Sequence, residues 1–210
     1  MPDNQESSSP DFERCQISDG EGWEKLSVDR ILDHPYIRIE EITYRTPARK
    51  DPVNWTVARR KSAVAVAPML EDGRFLLIQQ ERYPIQRTIR EFPAGQIDDI
   101  ENKEACETIL STVHSELAEE TGYQLAPGGD IRPLGYYFSS QGYSDEHVYL
   151  FLARPVIPTD KGPSLDGGES ILGCHALTAE ELRDEIAANR IVDANTLALY
   201  ARLCACGIIS

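Results

Sequence analysis

Positive charge is scarce in this sequence. It has 21 Lys and Arg residues against 35 Asp and Glu residues, which gives a net charge of −14 and a pI of about 4.7. A chain this acidic has no general attraction for a phosphate backbone, so nucleic acid is excluded as a passive electrostatic partner. An anionic small molecule would need local cations or a metal ion to bind.

Long apolar runs and ordered cysteine spacings are missing too. No stretch approaches the roughly 18 apolar residues of a membrane span. The N-terminus lacks the basic and apolar regions of a signal peptide. Five cysteines, at positions 15, 106, 174, 204 and 206, form no disulfide-like framework. We therefore expect no membrane partner and a reducing, cytoplasmic location.

Enough apolar sequence is present for one sizeable domain with an appended element, because 41% of the 210 residues are hydrophobic. Residues 1–12 are polar and rich in Ser, which predicts a disordered tail. Residues 13–60 predict a small β-rich element, and 61–210 the main domain. Strand and helix patterns mix without regular βαβ alternation, which predicts an α+β fold.

Local patterns predict the elements of the main domain and of the segment before it. Predicted strands cover 36–44, 55–60, 62–70, 74–80, 88–92, 131–138, 146–153 and 171–177. Predicted helices begin after the N-caps Asn102, Thr178 and Asp193, and Gly122 is placed to end the first of them. Thr178 with Glu181 fits a capping box.

The most informative stretch runs from 91 to 123 and joins a Pro-Ala-Gly bend to a helix that ends in acidic residues. Helical spacing gives one apolar stripe, formed by Cys106, Ile109, Leu110, Val113 and Leu117. Glu120 falls within this stripe, Glu116 at its edge and Glu119 outside it. A carboxylate aimed at a core is costly unless a cation neutralises it, and carboxylate oxygens suit Mg²⁺ or Mn²⁺. The alternative is a solvated acidic helix.

This stretch resembles the signature of the Nudix hydrolases, G-x5-E-x7-R-E-U-x-E-E-x-G-U. The segment from Glu107 to Tyr123 follows the second half of the pattern in register. Two departures occur. Eleven residues separate Gly95 from Glu107 where the pattern has five, an insertion of six, and Ser115 replaces the Arg that in this family braces the glutamates.

Three further segments resemble the ADP-ribose pyrophosphatase branch of the family: 91–95 (EFPAG), 139–146 (SSQGYSDE) and 192–199 (VDANTLAL). That branch commonly has Ser-Pro-Gly where Ser140, Gln141 and Gly142 stand, so the proline is absent. The resemblance implies an α/β/α sandwich with a mixed sheet. It also implies a homodimer, built through the N-terminal β element of residues 13–60, with the Nudix hydrolase domain in 61–210.

The activity implied by the resemblance is metal-dependent hydrolysis of the diphosphate of ADP-ribose, or of a related nucleoside diphosphate sugar, to a nucleoside monophosphate and a sugar phosphate. The implied Mg²⁺ or Mn²⁺ ligands are Glu116 and Glu120, then Glu119, with the backbone carbonyl of Ala94. Glu119 is also a candidate catalytic residue. Glu107 faces away from Glu116 on an ideal helix and is expected at the helix start or in an outer shell.

The catalytic base implied for this branch lies in an acidic loop before the last strand. Asp166-Gly167-Gly168-Glu169 matches that loop, and Glu169 is the candidate base, with Asp166 as the reserve. A solvated loop glutamate is the alternative reading of Glu169.

Substrate binding is expected from residues near the bend and the end of the N-terminal element. Arg82 and Arg60 are candidate phosphate ligands, or else surface ion-pair residues. Glu91 is a candidate for ribose hydroxyls, and Gly95 lies in the bend itself. Trp55 could stack on a nucleobase or pack at a dimer seam.

Two other functions stay open at this point. One is hydrolysis of another diphosphate sugar, such as a GDP- or UDP-sugar. The other is a catalytically silent Nudix domain that binds a nucleotide, which Ser115 and the lengthened loop favour and the retained glutamates oppose.

Overall fold

A computed structural model describes residues 15, 17, 20–98, 106–165, 167–168 and 170–210. In this part of the chain there are ten strands, three α-helices and one short 3-10 helix at Tyr83–Ile85. The strands are β1 (Glu24–His34), β2 (Ile37–Arg45), β3 (Val53–Arg59), β4 (Ala63–Leu70), β5 (Phe75–Arg82), β6 (Arg87–Glu91), β7 (Ala94–Gln96), β8 (Tyr123–Phe138), β9 (His147–Pro158) and β10 (Ile171–Leu177). The helices are α1 (Cys106–Thr121), α2 (Ala179–Ala187) and α3 (Ala194–Ala205). The predicted tail at 1–12 and the predicted cap Asn102 lie outside the described residues.

The first three strands form an antiparallel sheet of their own, in the order β1-β2-β3. β2 is the middle strand and pairs Ile42 with Val28 on one side and with Trp55 on the other. Ile42 and Glu40 are buried, whereas all 11 residues of β1 are exposed. The N-terminal sheet thus has one outer strand that none of the described residues covers.

The second sheet has seven strands, in the order β10-β5-β4-β9-β8, with β6 added to β5 and β7 added to β4. β4 and β9 pair in parallel and the other pairs are antiparallel, so the sheet is mixed. β4 and β9 are the most apolar strands and are central, because a strand covered on both faces needs apolar side chains on both.

Helices cover both faces of this second sheet. Alternate residues of β4 supply each face: Val64 and Val66 contribute to the core beneath α1, and Ala65 and Ala67 to the core beneath α2 and α3. Ile109, Val113 and Leu117 of α1 fill the first core; Leu182 of α2 and Leu199 and Leu203 of α3 fill the second. The predicted α/β/α sandwich with a mixed sheet is confirmed.

The helix ends follow the predicted caps where they are described. Gly122 has φ +71° and ends α1. The Thr178 side chain accepts from the backbone N–H of Glu181, whose carboxylate accepts from the Thr178 N–H, a complete capping box. Asp193 caps α3 by accepting from the backbone N–H of Thr196.

Some strands are longer in the structure than predicted, and β9 continues to Pro158 instead of ending at residue 153. β8 begins at Tyr123 instead of residue 131, because β8 and β9 continue to pair on both sides of a register shift between Leu125 and Asp130. The intervening Pro and Gly residues carry a turn-like pattern that hid this pairing. β4 pairs with β5 at Met69 and Phe75, and the rest of β4 pairs with β9 and β7.

No helix among the described residues is both long enough and apolar enough to cross a membrane.

Candidate active site

The C-terminal half of α1 brings acidic side chains to the sheet. Val113 and Leu117 are fully buried, so this face of the helix is fixed against the core. On the next turn Glu120 is only 2% exposed, Glu116 is partly buried and Glu119 is exposed. The burial of the three glutamates therefore follows the order that the apolar stripe predicts.

The Pro-Ala-Gly bend lies between β6 and β7, at the edge of β4. The Pro93 carbonyl accepts from the N–H of Val66 at 2.9 Å, and Gly95 pairs with Val64 across β7 and β4. After the bend, the N–H of Ile97 donates to the Ser62 carbonyl at 2.9 Å. The bend is thus built into the sheet.

Glu120 and Glu116 both reach this bend. The N–H of Ala94 donates to Glu120 Oε2 at 2.8 Å. The Glu116 carboxylate lies directly over Gly95, because a Cβ on that residue would stand 1.7 Å from Glu116 Oε1. Only glycine permits this approach, and the two carboxylates therefore converge with the bend as predicted.

The donors at the bend suit a hard divalent cation. They are the carboxylate oxygens of Glu116 and Glu120, which lie over Gly95 and against the Ala94 N–H. Among the described residues no group of three or more His, Cys, Asp or Glu side chains could hold an ion, and Glu119 does not join the pair. Mg²⁺ typically uses one or two carboxylates and takes its other ligands from water and substrate phosphates, so two carboxylates fit it.

Arg82 and Glu91 form an ion pair close to the bend. Arg82 Nε donates to Glu91 Oε2 at 3.2 Å, and Arg82 Nη2 lies 2.7 Å from Glu91 Oε1. The second contact lacks hydrogen-bond alignment, so Oε1 is buried without a hydrogen bond. Burial raises the pKa of Glu91 to about 7, against the lowering effect of Arg82, and the charge of Asp193 adds to the rise.

Arg60 is also held by a carboxylate. Its Nε donates to Glu146 Oε1 at 2.7 Å, while Ser139 Oγ donates to Glu146 Oε2 at 2.6 Å. Both arginines predicted to meet phosphate are therefore engaged in ion pairs, with part of each side chain still exposed.

Trp55 lies in a cleft between the N-terminal sheet and the loop 139–146. The cleft has a volume of about 750 Å³, and its walls include Trp23, Trp55 and Gln141. The Trp55 indole N–H donates to the Gly142 carbonyl at 2.8 Å, and its side chain is 53% exposed. The ring is held in place with much of its surface open, as stacking on a flat ligand requires.

The loop 139–146 is joined to β3 by more than this indole. The N–H of Ala58 donates to the Tyr143 carbonyl at 2.7 Å, and Ser144 Oγ donates to the Ala58 carbonyl at 2.8 Å. Arg59 pairs with Asp145 at 2.6 Å and with Glu40 at 2.9 Å. These contacts connect the N-terminal sheet to the turn between β8 and β9.

The candidate bases Glu169 and Asp166 lie outside the described residues. The chain on either side of them is anchored. The N–H of Ser164 donates to the Glu119 carbonyl at 2.9 Å, and Ser170 Oγ donates to Glu81 Oε2 at 2.7 Å. The anchors connect this segment to the C-terminal end of α1 and to β5.

Sequence reasoning missed Thr196, which contacts the bend from the opposite layer. The N–H of Phe92 donates to Thr196 Oγ1 at 2.8 Å, although 104 positions separate the two residues. The only available signal was the resemblance of residues 192–199 to the branch, which does not indicate what Thr196 touches.

Glu91 gives a testable pH dependence. Its carboxyl keeps a proton in the folded state, up to about pH 7, that the unfolded chain releases near pH 4.5. The folded state therefore binds more protons in this window, and its stability falls as the pH rises. Between about pH 4.5 and 7 the free energy of unfolding should fall by up to about 1.4 kcal/mol per pH unit because of Glu91. Glu91→Gln should therefore reduce the total fall by up to roughly 3 kcal/mol.

The measurement is urea unfolding between pH 4.5 and 7.5 in the presence of EDTA. Glu107→Gln, an exposed residue of α1, is the matched control and should parallel the wild type. Identical pH slopes for Glu91→Gln and wild type would contradict the assignment.

Comparisons with known proteins show the family to which the chain belongs. The profile of the NUDIX domain matches residues 59–200. An ADP-ribose pyrophosphatase from Bacillus subtilis (strain 168) is 29% identical over 140 residues, 67% of this chain and 70% of that protein. A methanol dehydrogenase activator from Bacillus methanolicus is 28% identical over 141 residues, 67% of this chain and 71% of that one.

Two further proteins are similar to this chain, one over about half of its length and one over nearly all of it. An ADP-sugar pyrophosphatase from Mus musculus is 34% identical over 108 residues, 47% of each chain. The crystal structure of an ADP compounds hydrolase superposes with a TM-score of 0.70 at 16% identity, covering 92% of this chain and 100% of that one, and thus shares the fold. With the NUDIX profile spanning more than half of its length, the chain belongs to the Nudix family.

Proposed function

We propose that this protein hydrolyses the diphosphate of ADP-ribose, or of a closely related nucleoside diphosphate sugar, with Mg²⁺ or Mn²⁺ as cofactor. The observation that carries the proposal is the convergence of the Glu116 and Glu120 carboxylates with the Pro-Ala-Gly bend. The likeness to an ADP-ribose pyrophosphatase and an ADP-sugar pyrophosphatase supports the choice of substrate.

The reaction adds water to one phosphorus and breaks its bond to the bridging oxygen, giving a nucleoside monophosphate and a sugar phosphate. Glu116, Glu120 and the Ala94 carbonyl would hold the cation, and Glu119 is available at the exposed edge of the same helix. When bound, the cation supplies charge neutralisation of the diphosphate and acidification of the attacking water.

The proton of the attacking water needs an acceptor, which we assign to Glu169. The flanking residues support this proposal, since Ser164 is bonded to Glu119 of α1 and Ser170 to Glu81 of β5. Gly167 and Gly168 give its backbone the freedom to close on a substrate. Asp166 is the alternative acceptor.

Substrate contacts come from both sheets. Gly95 contributes through its position in the bend next to the Glu116 carboxylate. Arg82, oriented by the buried Glu91, offers its exposed edge to phosphate or ribose oxygens. Arg60 is oriented similarly by Glu146. Trp55 provides an aromatic surface for the nucleobase.

The N-terminal sheet is the proposed dimer contact. β1 is exposed along its whole length, and Leu26, Val28, Ile31 and Leu32 are 40–63% exposed. Apolar side chains grouped on an uncovered outer strand mark an interaction surface, because an open strand edge pairs readily with another chain. A second copy of this chain is the partner that the family resemblance favours.

A reducing cytoplasm fits the chemistry of the chain, since all five cysteines are free thiols. Cell fractionation followed by thiol labelling would test this location; labelling confined to a secreted fraction would contradict it.

The two proposed metal ligands, Glu116 and Glu120, are tested with purified protein and a panel of ADP-, GDP- and UDP-sugars. We expect metal-dependent release of AMP from ADP-ribose, lost by about 10²-fold or more in Glu116→Gln and Glu120→Gln. Glu180→Gln, an exposed glutamate in the first turn of α2, is the control and should retain full activity.

Each contrary result of this panel identifies a different error. Faster cleavage of a GDP- or UDP-sugar would show that the preferred substrate carries a different nucleobase. Nucleotide binding without cleavage would indicate a silent domain, and full activity in both glutamine variants would exclude the assigned metal site.

Replacement of the proposed base gives an independent test. Glu169→Gln should lower kcat by roughly 10²–10⁴-fold, because a positioned general base contributes about that much. Asp166→Asn is the matched control and should change kcat by less than about tenfold. The reverse pattern would transfer the role to Asp166.

The dimer is tested by sedimentation velocity. Wild-type protein should sediment at twice the 23.5 kDa mass of one chain. Ile31→Glu should shift it to the monomer, because a charge would be buried at the contact. Leu172→Glu, at a similarly exposed leucine of β10, should leave the dimer intact. A monomeric wild type would refute this contact.

A further inference from the structure

Thr196 is a fully buried polar residue in the first turn of α3. Its hydroxyl donates to Asp193 Oδ2 at 2.8 Å, and its own N–H donates to the same oxygen at 2.7 Å. With its single hydrogen committed to Asp193, the hydroxyl oxygen accepts the N–H of Phe92 at 2.8 Å. The direction of each bond is therefore fixed by the donors and acceptors available.

Phe92 is the residue through which this contact reaches the bend. Its ring is fully buried and packs edge-on against Phe75 at 6.1 Å. The next carbonyl, of Pro93, accepts from Val66, and the next N–H, of Ala94, donates to Glu120. Three successive residues are thus each held by a different partner: α3, β4 and α1.

An ordinary helix cap would not need this connection. At the same position of α2, the exposed Glu181 bonds back to the cap Thr178 within the first turn of its own helix. Thr196 instead links its helix to a residue 104 positions away, in the layer between α3 and α1. The contrast separates a local capping role from one directed at the bend.

We propose that Thr196 is a positioning residue for the metal-binding bend. Its hydroxyl, oriented by Asp193, holds the Phe92 amide so that Ala94 and Gly95 meet the Glu116 and Glu120 carboxylates. This inference rests on the proposed function. The position of the bend matters because a displacement of about 1 Å at a catalytic site lowers the reaction rate by up to roughly 10²-fold.

The test uses Thr196→Val, which keeps the shape of the side chain but removes the acceptor, and Thr196→Ser, which keeps the acceptor. Two quantities are measured: Mn²⁺ affinity by the loss of the free-ion EPR signal, and amide hydrogen exchange at Phe92. In Thr196→Val we expect exchange at Phe92 to accelerate at least about tenfold and Mn²⁺ affinity to fall about 10–10²-fold. Thr196→Ser should restore both, and Thr178→Val should change neither.

Asp193→Ser is a second variant, used if the valine protein does not fold. Serine is a good N-cap but is too short to orient the Thr196 hydroxyl, so both quantities should move in the same direction. A folded Thr196→Val or Asp193→Ser protein with wild-type Mn²⁺ affinity would overturn the inference. Wild-type protein that binds Mn²⁺ but cleaves no diphosphate sugar would overturn the proposed function alone. The role of Thr196 is tested separately, by Mn²⁺ affinity and by amide hydrogen exchange at Phe92.

Discussion

A buried carboxylate meeting a backbone amide is the contact on which the site depends. Glu120 is 2% exposed and accepts the Ala94 N–H at 2.8 Å, and Glu116 lies beside it over Gly95. Removing a carboxylate from water is unfavourable unless hydrogen bonds or a cation compensate it. Glu120 receives part of this compensation from the Ala94 N–H.

The α/β/α architecture brings these groups together from separate layers. α1 is fixed on one face of the sheet by Ile109, Val113 and Leu117, which sets the direction of its acidic end. α3 lies on the other face and contacts the residue before Pro93. The bend is therefore held by α1 on one face of the sheet, by α3 on the other face and by β4 beside it. A metal site requires this rigidity.

The N-terminal sheet adds a different kind of contribution. Its strand β3 is bonded to the loop 139–146 through Ala58, Arg59 and Trp55, while β1 faces outward. One side of this small sheet thus shapes the cleft that holds Trp55, and the other leaves an apolar surface.

Much of this arrangement was readable from local sequence patterns. Helical spacing ranked Glu120, Glu116 and Glu119 by burial, because periodicity is a property of neighbouring residues. The caps at Thr178 and Asp193 and the central apolar strands followed for the same reason. The sandwich and its mixed sheet were expected from the family resemblance alone, and the order of the strands was not predicted.

Contacts between distant segments were not readable in this way. The Arg82–Glu91 ion pair depends on the pairing of β5 with β6, and the Thr196–Phe92 bond joins residues 104 positions apart. No periodicity relates such residues. Likewise, the turn-like sequence after Leu125 concealed a strand whose existence depends on β9.

The most direct measurement is anomalous diffraction from crystals soaked with Mn²⁺ and a non-hydrolysable ADP-ribose analogue. The account predicts an anomalous peak in contact with carboxylate oxygens of both Glu116 and Glu120, with the diphosphate as a further ligand. Peaks elsewhere, or the analogue bound with both glutamates turned away from the bend, would contradict it.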